Sequence, residues 1–333
     1  MIELWRSIGW RGQVPLAIAL FALICAPVIA DRYLLSVLTL ILYLAYVGQA
    51  WNLMMGYAGQ LSLGHALYVG LGGYVAALLW LDFGVGPWLS VFPAIAVGAL
   101  FGAAIGWLGF RFHIEGVYFA LLTIAFAEFT RIACDNLAFT GGSAGLFMPY
   151  VEKLAGEWWN LRGGQLLFYY LALLLAAAAI VLTAHLAHSR LGYYWLAVRE
   201  DERAARTLGI NSFRAKMTAV LISSGMTAVG GVFYAFYYNT LFPSQVFDTN
   251  QSIELILAPL IGGLGTVFGP IVGAFLLTPV GETLTTLAER LGVNLPGTKQ
   301  VFYGLTLMVI ITLRPTGVWP WMARVLGFGN RAS

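Results

Sequence analysis

Runs of apolar residues dominate the chain, and short polar segments separate them. Several runs approach the roughly 20 residues that a helix needs to cross the hydrocarbon core of a bilayer. The clear runs are Val14–Ala30, Tyr33–Met55, Leu61–Leu81, Trp88–Phe110, Ile114–Ala133, Gln165–His185, Met217–Phe242 and Gln300–Leu313. Because a spanning segment must satisfy its backbone hydrogen bonds internally, we expect each run to form a helix.

Two regions need a decision about the number of crossings. The stretch from Ser252 to Leu287 is too long for one span, and the glycine-rich segments Gly262–Gly265 and Gly269–Pro270 interrupt it. We predict two crossings there, the first a short or broken helix. The first run ends in a small-residue pattern typical of a cleaved signal peptide, but it is long for such a peptide. We therefore favour a retained first helix.

Composition supports a membrane protein. Of the 333 residues, 60% are hydrophobic and 10% are charged, against roughly 45–50% and about 25% in soluble domains. The net charge of +3 arises in the short gaps between the runs, so it indicates orientation and gives no sign of nucleic-acid binding. The sequence predicts an all-α polytopic membrane protein.

The distribution of charge predicts the orientation. Segment 189–216 holds six of the chain's 18 Lys and Arg residues, so the positive-inside rule places it in the cytoplasm. Segment 135–163 carries three acids and two bases and is expected to be an external loop. The count becomes ten transmembrane helices, some short or broken, with both termini cytoplasmic and residues 1–333 forming a single transmembrane domain. A count of nine would place the arginine-bearing C-terminal segment outside.

Motifs for catalysis or cofactor binding are missing from the sequence. It has no G-x-S-x-G, no H-E-x-x-H and no phosphate-binding G-x-x-x-x-G-K-[ST]. Cys25 and Cys134 lie in or beside apolar stretches without metal-ligand spacing, so we read them as small buried side chains. We expect no catalytic, metal-binding or cofactor-binding residues in this chain.

The most specific local pattern is LGYYWLAVREDERAARTLGIN at Leu191–Asn211. Asp201 suits a helix N-cap, and Gly209 suits a C-terminal stop because it tolerates left-handed backbone. The pattern predicts a short cytoplasmic helix with small side chains on one face, flanked by charges that fit a protein socket. Those small side chains are Ala204, Ala205 and Leu208. The alternative is an ordinary amphipathic helix lying on the lipid surface.

A glycine-rich pattern, GYAGQLSLGHA, occupies Gly56–Ala66. Glycine lets helices approach closely, or lets backbone unwind beside a cavity where it can meet a solute, and both readings stay open. A weak echo of the pattern follows at Gly262–Thr266. In the run 114–133, Glu128 and Arg131 stand at i and i+3, either as a functional intramembrane pair or as a pair that merely neutralises itself.

Four segments in order carry a family resemblance. They are GYAGQLSLGHALYVGLGGYVAALL, then GVYFALLTIAF followed by TGGSAG, then REDERAARTLGIN, and finally IGGLGTVFGPIVGAFLL. Together they resemble the permeases of branched-chain amino-acid-type ABC importers, over about residues 40 to 315. The resemblance implies the ABC importer permease fold in a bacterial inner membrane. It also implies four partners beside the lipid bilayer: a second homologous permease, two ATP-binding cassette subunits and a periplasmic solute-binding protein.

The resemblance also implies residue roles. The family's E-x-A-A-x-x-x-G coupling segment, which docks on the ATPase, matches Glu202, Ala204, Ala205 and Gly209, with Arg199, Glu200, Asp201 and Leu208 beside them. Candidates for the translocation path are Gly56, Gly59, Gln60, Ser62, Gly64, His65, Thr123, Glu128, Gly262, Gly263, Gly265 and Thr266. ATP and Mg²⁺ would be bound by the partner ATPases, so this chain would itself be no enzyme.

The solute and the energy source have alternatives. Relatives of this type import urea, short amides or aromatic acids as well as branched-chain amino acids, and this chain is unusually aromatic around Phe233–Tyr238. A secondary transporter or channel is the rival class, but few intramembrane acids are present from which to build an ion relay. A purely structural membrane scaffold fits least, because it requires no polar glycine-rich turns between spans.

Overall fold

The computed structural model describes residues 10–149, 161, 164–290 and 297–325, and these are mostly helical. The first helices are α1 (Trp10–Ile29), α2 (Arg32–Asn52), α3 (Ala66–Phe83), α4 (Pro87–Arg111), α5 (Val117–Asn136), α6 (Gln165–Ala187) and α7 (Arg190–Glu200). The later helices are α8 (Glu202–Thr207), α9 (Ser212–Tyr238), α10 (Pro243–Val246), α11 (Thr249–Gly262), α12 (Gly269–Arg290), α13 (Thr298–Leu313) and α14 (Val318–Val325). A π-helical turn, Leu53–Tyr57, continues α2, and 3₁₀ turns lie at Ala138–Thr140 and Gly142–Ala144.

Six of the described helices are long and apolar enough to cross a bilayer. They are α2 with its π-helical turn, α3, α4, α5, α6 and α9. Three shorter apolar helical stretches lie within predicted spans, at Ala17–Ile29, Gly269–Leu284 and Gln300–Ile310. Helix α11 has only 14 residues. The described residues thus form a multi-pass membrane protein, while the count of ten spans and the side of the termini stay predictions.

Helix starts differ from the sequence prediction by five residues at two of the spans. The helix expected from Leu61 begins at Ala66, because the backbone around the left-handed Gly59 (φ +70°) is not helical and stays non-helical through His65. The helix expected from Met217 begins five residues earlier, where the Asn211 side chain accepts a hydrogen bond from the Arg214 amide at 3.0 Å. It ends where Asn239 becomes left-handed. The split between α11 and α12 is confirmed.

The expectation of an all-α chain needs one correction. Strands β1 (Leu146–Phe147) and β2 (Thr240–Leu241) pair antiparallel. Both lie in segments where the chain has left a membrane-length helix, so extended backbone can satisfy its polar groups by pairing. Residues 150–160 and 162–163 of the predicted external loop lie outside the described residues.

The chain divides into two compact units. The second unit comprises Ala50–Phe168 and Ala187–Ile256, and in it α9 packs along α3 and α4, which also pack on each other. Glycine makes the approach close, because Gly72 faces the Ala228 carbonyl and any side chain at position 72 would overlap it. This is the small-residue packing that membrane helices use in place of a hydrophobic driving force.

The first unit comprises the described parts of Met1–Gln49, Tyr169–Leu186 and Leu257–Ser333. In it, α12 packs against α13 and α14. An apolar cluster within this unit consists of Leu257, Ile261, Leu277 and Tyr303. The Tyr169 hydroxyl donates a hydrogen bond of 2.6 Å to the Leu23 carbonyl and so ties α6 to α1.

Candidate functional site

The basic loop, residues 189–216, folds as α7, α8 and the first turn of α9. The Asp201 carboxylate caps α8 by accepting hydrogen bonds from the Arg203 and Ala204 amides at 2.8 and 3.0 Å. Gly209 follows the helix with φ +85°, a backbone conformation that glycine adopts without strain. The predicted N-cap and stop of this short helix are confirmed.

The side chains of α8 divide between its two faces. Ala205 is only 2% exposed, so it is buried within this chain, whereas Leu208 is 80% exposed. Ala204 is also exposed. The expectation that all three small residues share one docking face is therefore corrected. A partner that met this helix would contact Ala204 and Leu208, while Ala205 holds the helix against its own chain.

A charged network anchors α8 from its inner side. The Glu202 carboxylate pairs with Lys216 Nζ and accepts a hydrogen bond of 2.5 Å from Arg206 Nη2. Arg206 Nε also donates to the Ser212 hydroxyl at 2.7 Å, and Lys216, which is 5% exposed, lies 3.5 Å from the more exposed Glu115. Burial alone would raise the pKa of the Glu202 carboxyl, but the hydrogen bonds from its neighbours outweigh burial and lower it.

An open cleft of about 480 Å³ lies beside this network. Its lining residues are His113, Glu115, Asp201, Glu202, Arg203 and Arg206. The lining mixes both signs of charge, so the cleft fits a polar segment of a partner better than an apolar one. Among the described residues, no group of three His, Cys, Asp or Glu side chains is placed to hold a metal ion.

The helix break, residues 58–65, separates the π-helical turn from α3. Its backbone is held by neighbouring side chains: Trp51 Nε1 donates to the Ser62 carbonyl at 2.7 Å, and the Leu63 amide donates to Thr123 Oγ1 at 3.1 Å. Gly64 lies against the Thr123 carbonyl with no room for a Cβ. The break therefore contains unwound backbone as well as close helix packing, while its place in the translocation path stays a prediction.

His65 ends the break and is fully buried. The Ser223 hydroxyl gives its one proton to the Ala50 carbonyl at 2.6 Å, so it must accept from His65 Nε2 at 3.0 Å. His65 is then the Nε2–H tautomer, and its Nδ1 accepts from the Ser62 hydroxyl at 3.3 Å. Because both ring nitrogens bind this chain's own hydroxyls, His65 fastens the break to α9.

The glycine-rich echo forms the tight turn between α11 and α12 in the first unit. Gly263 and Gly265 have φ values of +127° and +69°. The Thr266 hydroxyl donates to the Gly263 carbonyl at 2.8 Å and accepts from the Gly269 amide at 3.1 Å. Gly262 lies against the Gly269 carbonyl. These candidates shape a helical hairpin, and they belong to a different unit from the helix break.

Glu128 pairs within its own helix. Its carboxylate accepts from Arg131 Nε at 3.0 Å, and Arg131 Nη1 also donates to Asp135 at 2.8 Å. The structure therefore turns the expected pair into a triad on α5. These contacts engage Glu128 along its own helix, whereas Thr123, five residues earlier, contacts the helix break.

Residues that sequence reasoning missed are mostly partners of those it found. Lys216 lies 14 positions after Glu202, and the sequence gives no sign that the two side chains pair. Ser223 was hidden in an apolar run, although the neighbouring serines at 223 and 224 are an unusual polar pair there. Ser252 caps α3 by accepting from the Ala66 amide at 2.9 Å across 186 positions, and no local pattern indicates this contact.

The apolar helices define a multi-pass membrane protein. The chain belongs to the family described as the branched-chain amino acid transport system permease component, whose sequence profile matches residues 33–311. It is 30% identical to the high-affinity branched-chain amino acid transport system permease protein LivM of Escherichia coli K12, over 95% of this chain and 77% of that protein.

Other relatives cover similar lengths. The chain is 25% identical to the E. coli K12 permease protein LivH of the same description, over 82% of this chain and 90% of that protein. It is 24% identical to a probable branched-chain amino acid transport permease protein LivM of Methanocaldococcus jannaschii, over 82% of this chain and 89% of that protein. No solved structure matches the chain.

Proposed function

We propose that this chain is one permease subunit of an ATP-driven importer in a bacterial inner membrane. A periplasmic solute-binding protein would deliver the solute, and a second homologous permease would complete the pore. Two ATP-binding cassette subunits would bind ATP and Mg²⁺, while this chain would bind no cofactor. Alternating access would move the solute inward. Support for a pair of permeases comes from the resemblance to both LivM and LivH of one organism.

The observation that carries the proposal is the shape of α8. Its inner face is fixed by the buried Ala205 and by the pairing of Glu202 with Lys216, while Leu208 stands 80% exposed on the loop. A short helix that is fixed on its inner face and exposes an apolar side chain on its outer face is suited to bind a partner protein. We propose that Arg199 to Gly209 form the coupling segment and that the ATPase covers Leu208.

The solute is proposed as a branched-chain or another hydrophobic amino acid. The two E. coli relatives are named as high-affinity branched-chain amino acid permeases, and this supports the amino-acid class over urea, amides or aromatic acids. Uptake of radiolabelled leucine by the assembled system, with isoleucine, valine, urea and phenylacetate as separate competitors, separates these classes. Competition by urea or phenylacetate without competition by isoleucine or valine would overturn the assignment of the solute.

The docking proposal is tested by Leu208→Glu. In the isolated chain this exposed change costs within about 0.5 kcal/mol, but at a packed interface it buries an unpaired charge at a cost of several kcal/mol. We expect the ATPase to be lost on co-purification and leucine uptake to stop, with the permease still folded. His188→Glu, at an exposed position immediately before the same loop, is the matched control. A Leu208→Glu permease that keeps its ATPase and its uptake would contradict the proposal.

A further inference from the structure

Arg199 joins the basic loop to the helix break. It is the second-last residue of α7, two positions before the cap of α8. Its Nη1 donates a hydrogen bond to the carbonyl of Gly56, in the π-helical turn 143 positions away. Its Nε and Nη2 bind Glu200 Oε1 at 3.3 and 2.7 Å, which fixes the plane of the guanidinium. All these residues belong to the second unit.

The Gly56 carbonyl is suited to such a donor because the helix ends there. The last carbonyls of a helix have no intrahelical partner, and the helix dipole makes this end negative. Here the Gly59 amide donates a hydrogen bond to the Met55 carbonyl at 3.0 Å, and the Gln60 amide donates one to the Met54 carbonyl at 2.9 Å. The Gly56 carbonyl thus receives the Arg199 guanidinium, a cationic cap at a helix C-terminus.

Gly59 is fitted to the stem of the same arginine. A Cβ at position 59 would lie 2.8 Å from Arg199 Cγ, closer than real Cβ atoms come. Its φ of +70° independently favours glycine. Two glycines of the GYAG pattern therefore serve one side chain, since Gly56 supplies the acceptor and Gly59 the space.

The connection between Arg199 and α8 is short. Only Asp201 separates α7 from α8, in an extended conformation with φ −154° and ψ 105°. Trp195, fully buried, donates from Nε1 to the Ala215 carbonyl at 2.9 Å and so holds α7 along α9. A displacement of α8 therefore acts on Arg199 directly. The acceptor, Gly56, lies in a π-helical turn, a short departure from the α-helix of a kind that occurs often at functional sites.

We propose that Arg199 is a positioning residue that transmits the movement of α8 to the helix break, through its hydrogen bond to Gly56 and its packing on Gly59. This inference rests on the proposed function, in which the ATPase moves α8. This role of Arg199 is distinct from docking. Without the Arg199 side chain, the ATPase still binds α8, but the movement that ATP drives in α8 is not transmitted to the helix break.

The test is Arg199→Met, which keeps much of the apolar stem and removes the donor. The complex of both permeases, ATPases and binding protein, reconstituted in liposomes, is assayed for ATP hydrolysis and for leucine uptake. We expect the ATPase to co-purify and to hydrolyse ATP, while leucine taken up per ATP falls at least about tenfold, within the usual range of coupling between sites. Arg199→Lys, which restores a cationic donor, is expected to recover part of the loss.

Arg190→Met is the matched control, because Arg190 is an exposed arginine at the first turn of the same helix. It should leave uptake per ATP unchanged. If Arg199→Met fails to fold, Glu200→Ala decides: this residue is 68% exposed in its side chain, and its loss frees the guanidinium and should lower coupling about two- to fivefold. Normal coupling in a folded Arg199→Met complex, or in Glu200→Ala, would overturn the inference. Absence of any bound ATPase in the wild-type complex would instead overturn the proposed function.

Discussion

Lys216 poses the clearest energetic question at the scale of single residues, because this charged residue is 5% exposed at the start of a membrane-length helix. A buried charge is tolerated when it is paired and hydrogen-bonded. Glu202 provides the close partner, and Glu115 lies farther away at 3.5 Å. The Phe110 ring lies 5.6 Å below the ammonium and adds a weaker attraction. The pair therefore ties α8 to α9 through one deeply placed contact.

Removing the carboxylate with Glu202→Gln should destabilise the protein. Loss of one partner of a buried pair costs roughly 3–5 kcal/mol, and the remaining attraction of Glu115 reduces this, so we expect about 1–3 kcal/mol. The measurement is thermal unfolding of the purified permease in detergent at pH 7. The matched control is Glu115→Gln, whose side chain is 60% exposed and which should cost within about 0.5 kcal/mol. Equal melting temperatures for all three proteins would show that the Glu202 pair contributes nothing.

The pH dependence of this contribution has a definite sign. The folded protein lowers the pKa of the Glu202 carboxyl, so its stabilisation is complete above the unfolded pKa of about 4.3. It is lost as the pH falls through the lower folded pKa. Between pH 7 and pH 3 the wild-type protein should therefore lose more stability than Glu202→Gln. A larger acid-induced loss in the variant would contradict this assignment of the pair.

Single residues differ in how well the sequence predicts them. Asp201 and Gly209 interact with backbone only a few residues away. The carboxylate of Asp201 is therefore enough to predict an N-cap, and the absence of a side chain at Gly209 is enough to predict a helix stop. The burial of Ala205 and the exposure of Leu208 depend on which side of α8 meets α9. That choice is set by the distant Lys216, so the local pattern grouped all three small residues on one face.

At the scale of elements, the helix break is held by packing that leaves no freedom at Gly64. Gly64→Ala would place a Cβ on the Thr123 carbonyl, a contact with backbone that cannot move aside. Overpacking of this kind costs roughly 1–3 kcal/mol or more, and we expect a lower melting temperature together with reduced uptake. Gly225→Ala is the control, since this buried glycine on α9 has its nearest neighbour at an ordinary 3.4 Å. A Gly64→Ala protein as stable as Gly225→Ala would disprove the close approach.

The elements themselves were predictable where apolar runs are long. The spans from Trp88 and Gln165 were predicted to within a few residues, because hydrophobic length fixes them. The sequence predicts an interruption between Met55 and Leu61 and leaves unwound backbone open as one reading of the glycine-rich pattern, but it does not predict that the break extends to His65. What unwinds it is the positive φ of Gly59, the contact of Gly64 with α5 and the tie from His65 to Ser223, and the last two depend on the tertiary fold.

At the scale of the whole molecule, contacts within the second unit agree with the predicted sidedness of its loops. Near the start of α9, Lys216 reaches Glu115 and Arg199 reaches Gly56. These contacts join the predicted cytoplasmic segment 189–216 to two helix ends that strict alternation of the predicted crossings places on the same side. At the other end of α9, β2 pairs with β1, which joins the end of the predicted span Met217–Phe242 to the predicted external segment 135–163. A misassigned crossing inside this unit would have brought segments of opposite predicted side together.

Which end faces the cytoplasm follows only from the positive-inside rule, so the orientation is best tested directly. With Cys25 and Cys134 replaced by alanine, single cysteines are placed at Ser143 and Arg203, both exposed and near opposite ends of the second unit. We expect a membrane-impermeant maleimide to label Ser143→Cys in spheroplasts, and Arg203→Cys only after the membrane is opened, because the basic loop resists translocation. Equal labelling of both after permeabilisation is the control for accessibility. Labelling of Arg203→Cys in sealed spheroplasts would invert the topology, and it would remove α8 from the side where an ATPase can reach it.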